Sequence, residues 1–312
     1  MHPGDIPEEQ IYKDSRSGSK FLSVSMALSA VILVGTWMYI LGFSSRNPDG
    51  NSVALSKQSA ASSAEETILP PDGVVLPIQW GDLGMQMVRS GVIDRDKLER
   101  LYAERGGLPQ EADALLAEGN FGRVMITQEN SGLLLNLLWA FGLSNKNDIL
   151  TEGEMSSPRY GGAGGFASTG GWTLAFGDAM EHYGRHPFVV LTPDQQQMVE
   201  RVSKNIYRPC CDNSTHFPDC NHGMAMLGLL ELMASQDIPE EEMYRTALQV
   251  NAYWFPDQYR TIAQYLRSQG AGWNTADPRE ILGTDYSSGS GYRRILSQTI
   301  APQRRDATSC DA

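Results

Sequence analysis

Hydrophobic positions recur at helical spacing along most of the chain beyond residue 72. Leu98, Leu101 and Tyr102 fall on one face of a helix at 94–106, and an aspartate before it and two glycines at its end supply the end signals. Similar patterns predict further helices at 80–89, 109–117, 131–141, 174–183, 192–207, 222–235, 239–254 and 255–268. The sequence therefore predicts a mainly α fold, with a single helical domain and glycine-rich loops over residues 72–284.

Two of these helices have clear signals of their own. Thr192, Pro193 and Gln195 form a capping box with proline at the first helical position, so a helix is expected to begin there. The segment 222–235 has Glu231 as its only charged residue, and such a helix must be largely buried. The stretch between these two helices contains most of the reactive side chains described below.

A separate apolar run lies near the N-terminus, at residues 21–43. These 23 residues carry no charge, and at about 1.5 Å rise per residue they span a hydrocarbon core roughly 30 Å thick. A cleavable signal peptide has a shorter apolar region, of about 7–15 residues, followed by a small-residue cleavage site. The run therefore predicts a transmembrane signal anchor that is retained, with the membrane as its partner.

The charges on either side of this helix predict its orientation. Three basic residues lie in the lead formed by residues 1–20, whereas only Arg46 follows the helix closely. The lead is therefore expected in the cytoplasm and the C-terminal domain in the periplasm or extracellular space. Residues 44–71 are rich in Ser, Ala and charged side chains and are predicted to form a flexible linker.

The overall charge limits the kinds of partner. The net charge is −12 and the pI is about 4.9, so the chain lacks the basic surface that phosphate binding requires. No nucleic-acid partner is expected. An acidic surface is typical of a soluble extracytoplasmic domain, and it raises the local concentration of cations.

Thiol and imidazole side chains gather in one short stretch. Its candidate metal ligands are Cys210, Cys211, His216, Cys220 and His222. These side chains bind borderline and soft metals, so we expect a site for a transition-metal ion, copper or zinc. Cys220 and His222 fall at the first turn of a predicted helix, where the positive end of the helix dipole favours a thiolate. The predicted function is metal handling, or a cofactor site, in a membrane-anchored extracytoplasmic protein.

Two other interpretations of the cysteines remain open. In one, the four cysteines form two disulfides that staple a binding or scaffold protein without metal. In the other, Cys220 carries out thiol redox chemistry with Cys210 or Cys211 as its resolving partner, although no Cys-x-x-Cys motif is present. Cys310 lies in the segment 285–312, which is predicted to be an extended tail. We expect a disulfide or a metal bond to tie Cys310 to the cluster.

Other motifs contribute little. Residues 160–172 contain six glycines, but they lack the Gly-Lys-Ser/Thr of a phosphate loop and the spacing of a dinucleotide fingerprint. A flexible or closely packed surface loop is the favoured interpretation, and the alternative is a loop whose backbone approaches the metal cluster or a substrate. No nucleophile elbow and no His-Glu-x-x-His motif occurs, so a hydrolase is not indicated. Whether the protein is an enzyme is left open.

Overall fold

The computed structural model describes residues 68–300 except for 105, 118 and 120. The predicted lead, the signal anchor at 21–43, nearly all of the linker and Cys310 lie outside these residues. Within the described range, no helix combines the length and the apolar character needed to cross a membrane.

The described chain is mainly helical, as predicted, and it also contains one small sheet. The two strands are β1 (Val74–Gly81) and β2 (Phe121–Ile126), which pair antiparallel. The helices are α1 (Leu83–Arg89), α2 (Arg95–Ala103), α3 (Glu111–Leu116), α4 (Ser131–Ser144), α5 (Asp148–Thr151), α6 (Pro193–Ser203), α7 (Asn221–Ser235), α8 (Glu240–Trp254), α9 (Pro256–Ser268), α10 (Pro278–Leu282), α11 (Thr284–Ser287) and α12 (Gly289–Ile300). Short 3-10 turns occur at Glu154–Ser156, Pro158–Tyr160, Ala163–Gly165, Ala179–Glu181 and Trp273–Thr275.

Helices α4 and α7 pack directly against each other at the centre of the core. A Cβ atom on Gly228 of α7 would lie 2.6 Å from the carbonyl oxygen of Leu138 in α4. A Cβ atom on Gly142 of α4 would lie 2.2 Å from the carbonyl oxygen of Met224 in α7. Only glycine permits so close an approach of two helix backbones. The crossing fixes α7 in the core, and with it the cysteine segment that leads into this helix.

The single charged side chain of α7 is buried, as the composition of the helix predicted. Glu231 is fully buried, and Asn145 donates a hydrogen bond from its Nδ2 to Oε2 of this carboxyl group at 2.6 Å. Burial raises the pKa of Glu231 well above its usual range. The fold therefore favours the protonated, neutral acid.

The sheet was not predicted from the helical pattern. Leu76, Ile78 and Trp80 are buried at alternate positions, which is the period of a strand with one face against the core. The helix predicted at 80–89 therefore begins only at Leu83, because Trp80 belongs to β1.

The prediction of a helix at residues 174–183 is wrong. Only the 3-10 turn Ala179–Glu181 forms there, and Asp178 caps it by accepting a hydrogen bond from the Met180 amide. The preceding Gly177 has a φ of +70°, a left-handed conformation that interrupts any helix through this position.

The extended tail predicted from residue 285 is wrong for the part that the structure describes. Helices α11 and α12 occupy this region as far as residue 300. The side chain of Ile295 is buried, and the Ser288 hydroxyl accepts a hydrogen bond from the Gly291 amide at the start of α12. A few apolar contacts and a hydroxyl cap therefore suffice for a helix in a segment whose composition is mostly polar.

Candidate metal centre

The cysteine segment connects the end of α6 to the start of α7. Helix α6 begins at a capping box, in which the Thr192 hydroxyl accepts a hydrogen bond from the Gln195 amide and the Gln195 side chain accepts one from the Thr192 amide. Within the segment, the Thr215 amide donates to the carbonyl oxygen of Ile206 at 2.8 Å. The segment is therefore a tight loop whose two ends are held by helices.

The loop brings three cysteine sulfurs together, and we call Cys210, Cys211 and Cys220 the cysteine cluster. The Sγ–Sγ distances are 3.6 Å for Cys210 and Cys220, 3.9 Å for Cys211 and Cys220, and 4.0 Å for Cys210 and Cys211. Thiolates bound to zinc at about 2.3 Å in a tetrahedral arrangement lie about 3.8 Å apart. The three sulfurs thus have the spacing of ligands to one ion.

The same distances bear on the disulfide interpretation. A disulfide requires an S–S distance of about 2.05 Å, so no disulfide joins the members of the cysteine cluster to one another. All three are free thiols; Cys210 is exposed, and the other two are half-buried. Pairing with Cys310 stays a prediction, since that residue lies outside the described range.

Arg208 lies beneath the cluster and was not among the residues singled out in the sequence. Its side chain is 1 % exposed, and its Nε donates to Sγ of Cys220 at 3.1 Å. Its terminal nitrogens donate to the carbonyl oxygen of Asn213 at 2.8 Å and to Oδ1 of Asp219 at 2.8 Å. Its place two positions before Cys210 was the available signal, because a fixed cation next to a thiolate is a common feature of reactive cysteines.

Cys220 is the N-cap residue of α7, whose first residue, Asn221, lies one position before the helix start expected at 222. Its Sγ accepts a hydrogen bond from the Gly223 amide at 3.4 Å. Hydrogen bonds from Cys210 and Cys211 lower the pKa of Cys220, and His222 and the positive charge of Arg208 lower it further. Cys220 is therefore the sulfur that holds negative charge most readily.

The two predicted histidine ligands lie in different surroundings. The half-buried ring of His222 is close enough to Cys220 to lower its pKa, and it packs against Phe255 with ring centroids 4.4 Å apart. The Nδ1 atom of His216 lies 3.2 Å from the Ser203 hydroxyl at the end of α6. Across the described residues, the group of Cys, His, Asp and Glu ligand atoms within 4.8 Å of one another consists of the three cluster sulfurs. Neither imidazole belongs to that group.

Two further segments support the loop. The amide of Gly289, at the start of α12, donates to the carbonyl oxygen of Cys211 at 2.8 Å, and the next amide donates to the Asp212 carboxylate. From the glycine-rich segment, the Ser168 amide donates to the carbonyl oxygen of Asp219 at 3.1 Å. The glycine-rich segment therefore contacts the cysteine segment through its backbone.

Comparison with known protein families, with curated proteins and with solved structures finds no match to this chain. Its function therefore has to be inferred from the site itself.

Proposed function

We propose that this protein binds one transition-metal ion, copper or zinc, through Cys210, Cys211 and Cys220, for metal handling or as a cofactor site. The observation that carries the proposal is the triangle of sulfurs with sides of 3.6, 3.9 and 4.0 Å, which suits a single ion. Thiolate donors favour Cu(I) and Zn²⁺ over hard cations such as Mg²⁺ and Ca²⁺.

For the fourth ligand we propose His222. It lies two residues after Cys220 on the first turn of α7, and its ring already interacts with the Cys220 sulfur. The ring of His222 is half-buried, and we expect it to rotate on metal binding so that one nitrogen reaches the ion held by the three sulfurs. His216, the other histidine predicted from the sequence, would first have to leave Ser203.

We further propose that the predicted anchor at residues 21–43 tethers this domain outside the cytoplasm, in the periplasm or extracellular space. A site with one exposed sulfur suits exchange of a metal ion with the surroundings. The acidic surface of the chain supports the same role, because it attracts cations toward the domain.

The proposal is tested by metal content. The full-length protein, purified in detergent and kept reduced, is offered Zn²⁺ or Cu(I), freed of excess ion and analysed for bound metal. We expect close to one ion per chain, and we expect Cys220→Ser and His222→Ala to lose most of it, because an opened site admits water. His182→Ala is the control, since His182 bonds to His186 and the Phe176 carbonyl. A reduced wild-type protein that takes up neither ion refutes the proposal.

Thiol–disulfide exchange is a second candidate, favoured by the 3.6 Å separation of the Cys210 and Cys220 sulfurs. The Cys220 thiolate would attack a small disulfide, RSSR, forming a mixed disulfide and releasing one RS⁻. Cys210 would give up its proton to the released RS⁻, attack the Cys220 sulfur and expel the second RS⁻, so that two cysteines are oxidised and one RSSR is reduced. Incubation with oxidised glutathione and peptide mapping distinguishes this chemistry, which requires a Cys210–Cys220 disulfide to form reversibly.

A further inference from the structure

The guanidinium of Arg208 is hydrogen-bonded to several residues of the loop that contains the cysteine cluster. Besides the Cys220 sulfur, its acceptors are the Asn213 carbonyl, the Asp219 carboxylate and, at 3.5 Å, the Phe217 carbonyl. These acceptors are spread over the residues between Cys211 and Cys220. One buried side chain therefore ties the middle of the loop to the sulfur at its end.

The guanidinium of Arg208 packs closely against Gly223 in the first turn of α7. A Cβ atom on Gly223 would lie 2.4 Å from Nη2, 2.5 Å from Cζ and 2.9 Å from Nε of Arg208. The guanidinium therefore lies flat against the first turn of α7, at a position where a larger side chain would displace it. A charged group this deeply buried is tolerated only where its donors are satisfied, as they are here.

We infer that Arg208 is a positioning residue of the metal centre, an inference that rests on the proposed function. Its bonds to Asn213 and Asp219 hold the loop so that the three sulfurs face one point. Its Nε donates to Sγ of Cys220 and so directs the remaining lone pairs of this sulfur toward the ion. Arg208 does not bind the metal itself. It sets the orientation of the Cys220 sulfur that binds the metal.

Lysine cannot replace arginine in this role. An ammonium group offers its donors from a single nitrogen, whereas the acceptors around Arg208 are matched to the planar fork of a guanidinium. The variant Arg208→Lys therefore keeps the charge and loses the geometry. Loss of an outer-shell partner of this kind lowers metal affinity by about 10–100-fold.

The test uses the full-length reduced protein in detergent. Zn²⁺ affinity is measured by competition with a chelator, and Co²⁺ reports on the sulfurs through the thiolate-to-metal charge-transfer band. For Arg208→Lys we expect affinity to fall about 10–100-fold and the band of the Co²⁺-saturated site to shift, because Cys220 has lost an N–H donor. A purely structural role would weaken binding and leave the band of the saturated site in place.

Two other variants sharpen the result. Gly223→Ala retains the arginine but displaces its guanidinium, and we expect the same band shift as for Arg208→Lys. Arg201→Lys is the matched control, because Arg201 is exposed and bonds to Glu240, away from the cluster; it should match wild type. If Arg208→Lys does not fold, Gly223→Ala decides the question alone.

Amide hydrogen exchange of the reduced, metal-free protein separates this inference from the proposed function. We expect faster exchange across residues 211–223 in Arg208→Lys than in wild type and in Arg201→Lys. A wild-type protein that takes up neither Zn²⁺ nor Cu(I) overturns the proposed function, while the exchange measurement still decides whether Arg208 holds the loop. The inference is overturned if both Arg208→Lys and Gly223→Ala keep the metal affinity, the band position and the amide exchange rates of the wild-type protein.

Discussion

Replacing Glu231 by glutamine is predicted to remove a pH dependence of stability that the wild-type protein shows. The folded protein holds this fully buried carboxyl group in its protonated form, because burial raises its pKa well above the usual value of 4.5. The unfolded chain ionises it near the usual value. Between the two pKa values, unfolding therefore releases one proton.

The size of the effect follows from this single proton. The folded state binds one more proton than the unfolded state, so the free energy of unfolding falls as the pH rises, by about 1.4 kcal/mol per pH unit. The stabilisation of the folded state by protonated Glu231 is fully present below pH 4.5 and is lost progressively as the pH rises to the folded-state pKa. Glutamine cannot ionise, so Glu231→Gln removes this slope, whatever constant cost the amide has beside Asn145.

The assay is urea denaturation of both proteins at several pH values from 5 to 8. The difference between the two free energies of unfolding cancels the titration of all other groups, apart from those coupled to this site. We expect this difference to change steadily with pH in favour of the glutamine variant. A difference that stays constant within about 0.3 kcal/mol per pH unit would show that Glu231 ionises normally in the fold, and the reasoning would fail.

Three more predictions follow from the fold and the sequence. Gly228→Ala should lower the free energy of unfolding by about 1–3 kcal/mol in a denaturation experiment, because its methyl group meets the backbone of α4. Gly132→Ala, in an open position of α4, should cost nothing, and equal effects of the two would contradict the packing argument. A reporter fused to the C-terminus should be active only when it works in an exported compartment; a product that has lost residues 1–43 would contradict a retained anchor. If a disulfide ties Cys310 to the cysteine cluster, non-reducing peptide mapping should show the two joined. Any tie would be contradicted if Cys310 alkylates readily in the native protein and Cys310→Ser changes neither the melting temperature nor the metal content.

The helices were predictable wherever local signals and burial agree. The capping box at Thr192 and the apolar run around Glu231 each have one physical interpretation, and both helices formed, although α6 ends at Ser203 rather than at 207. The sheet was missed because the buried positions of β1 alternate clearly only from Leu76 to Trp80, so that Trp80 also fits a helix. The helix at α12 was missed because a polar segment became helical through contacts with a loop distant in sequence.

The composition of the candidate site was predictable, but its geometry was not. Thiols and imidazoles close together in the sequence indicate metal chemistry by residue type alone. Which of these side chains come together depends on the conformation of the loop. That conformation depends on Arg208 and on the packing of its guanidinium against Gly223. The position of Arg208 two residues before Cys210 indicates a cation near the cysteines, but its burial is not encoded locally, because its partners are backbone carbonyls and side chains scattered over the loop.

X-ray absorption at the metal edge of the reduced, zinc-loaded full-length protein tests the central claim most directly. Coordination by Cys210, Cys211 and Cys220 predicts three sulfur neighbours at about 2.3 Å, with one nitrogen or oxygen neighbour at about 2.0–2.1 Å. Cys220→Ser should reduce the sulfur count to two in any ion that remains bound. A spectrum with only nitrogen and oxygen neighbours would contradict the claim that these three sulfurs hold the ion.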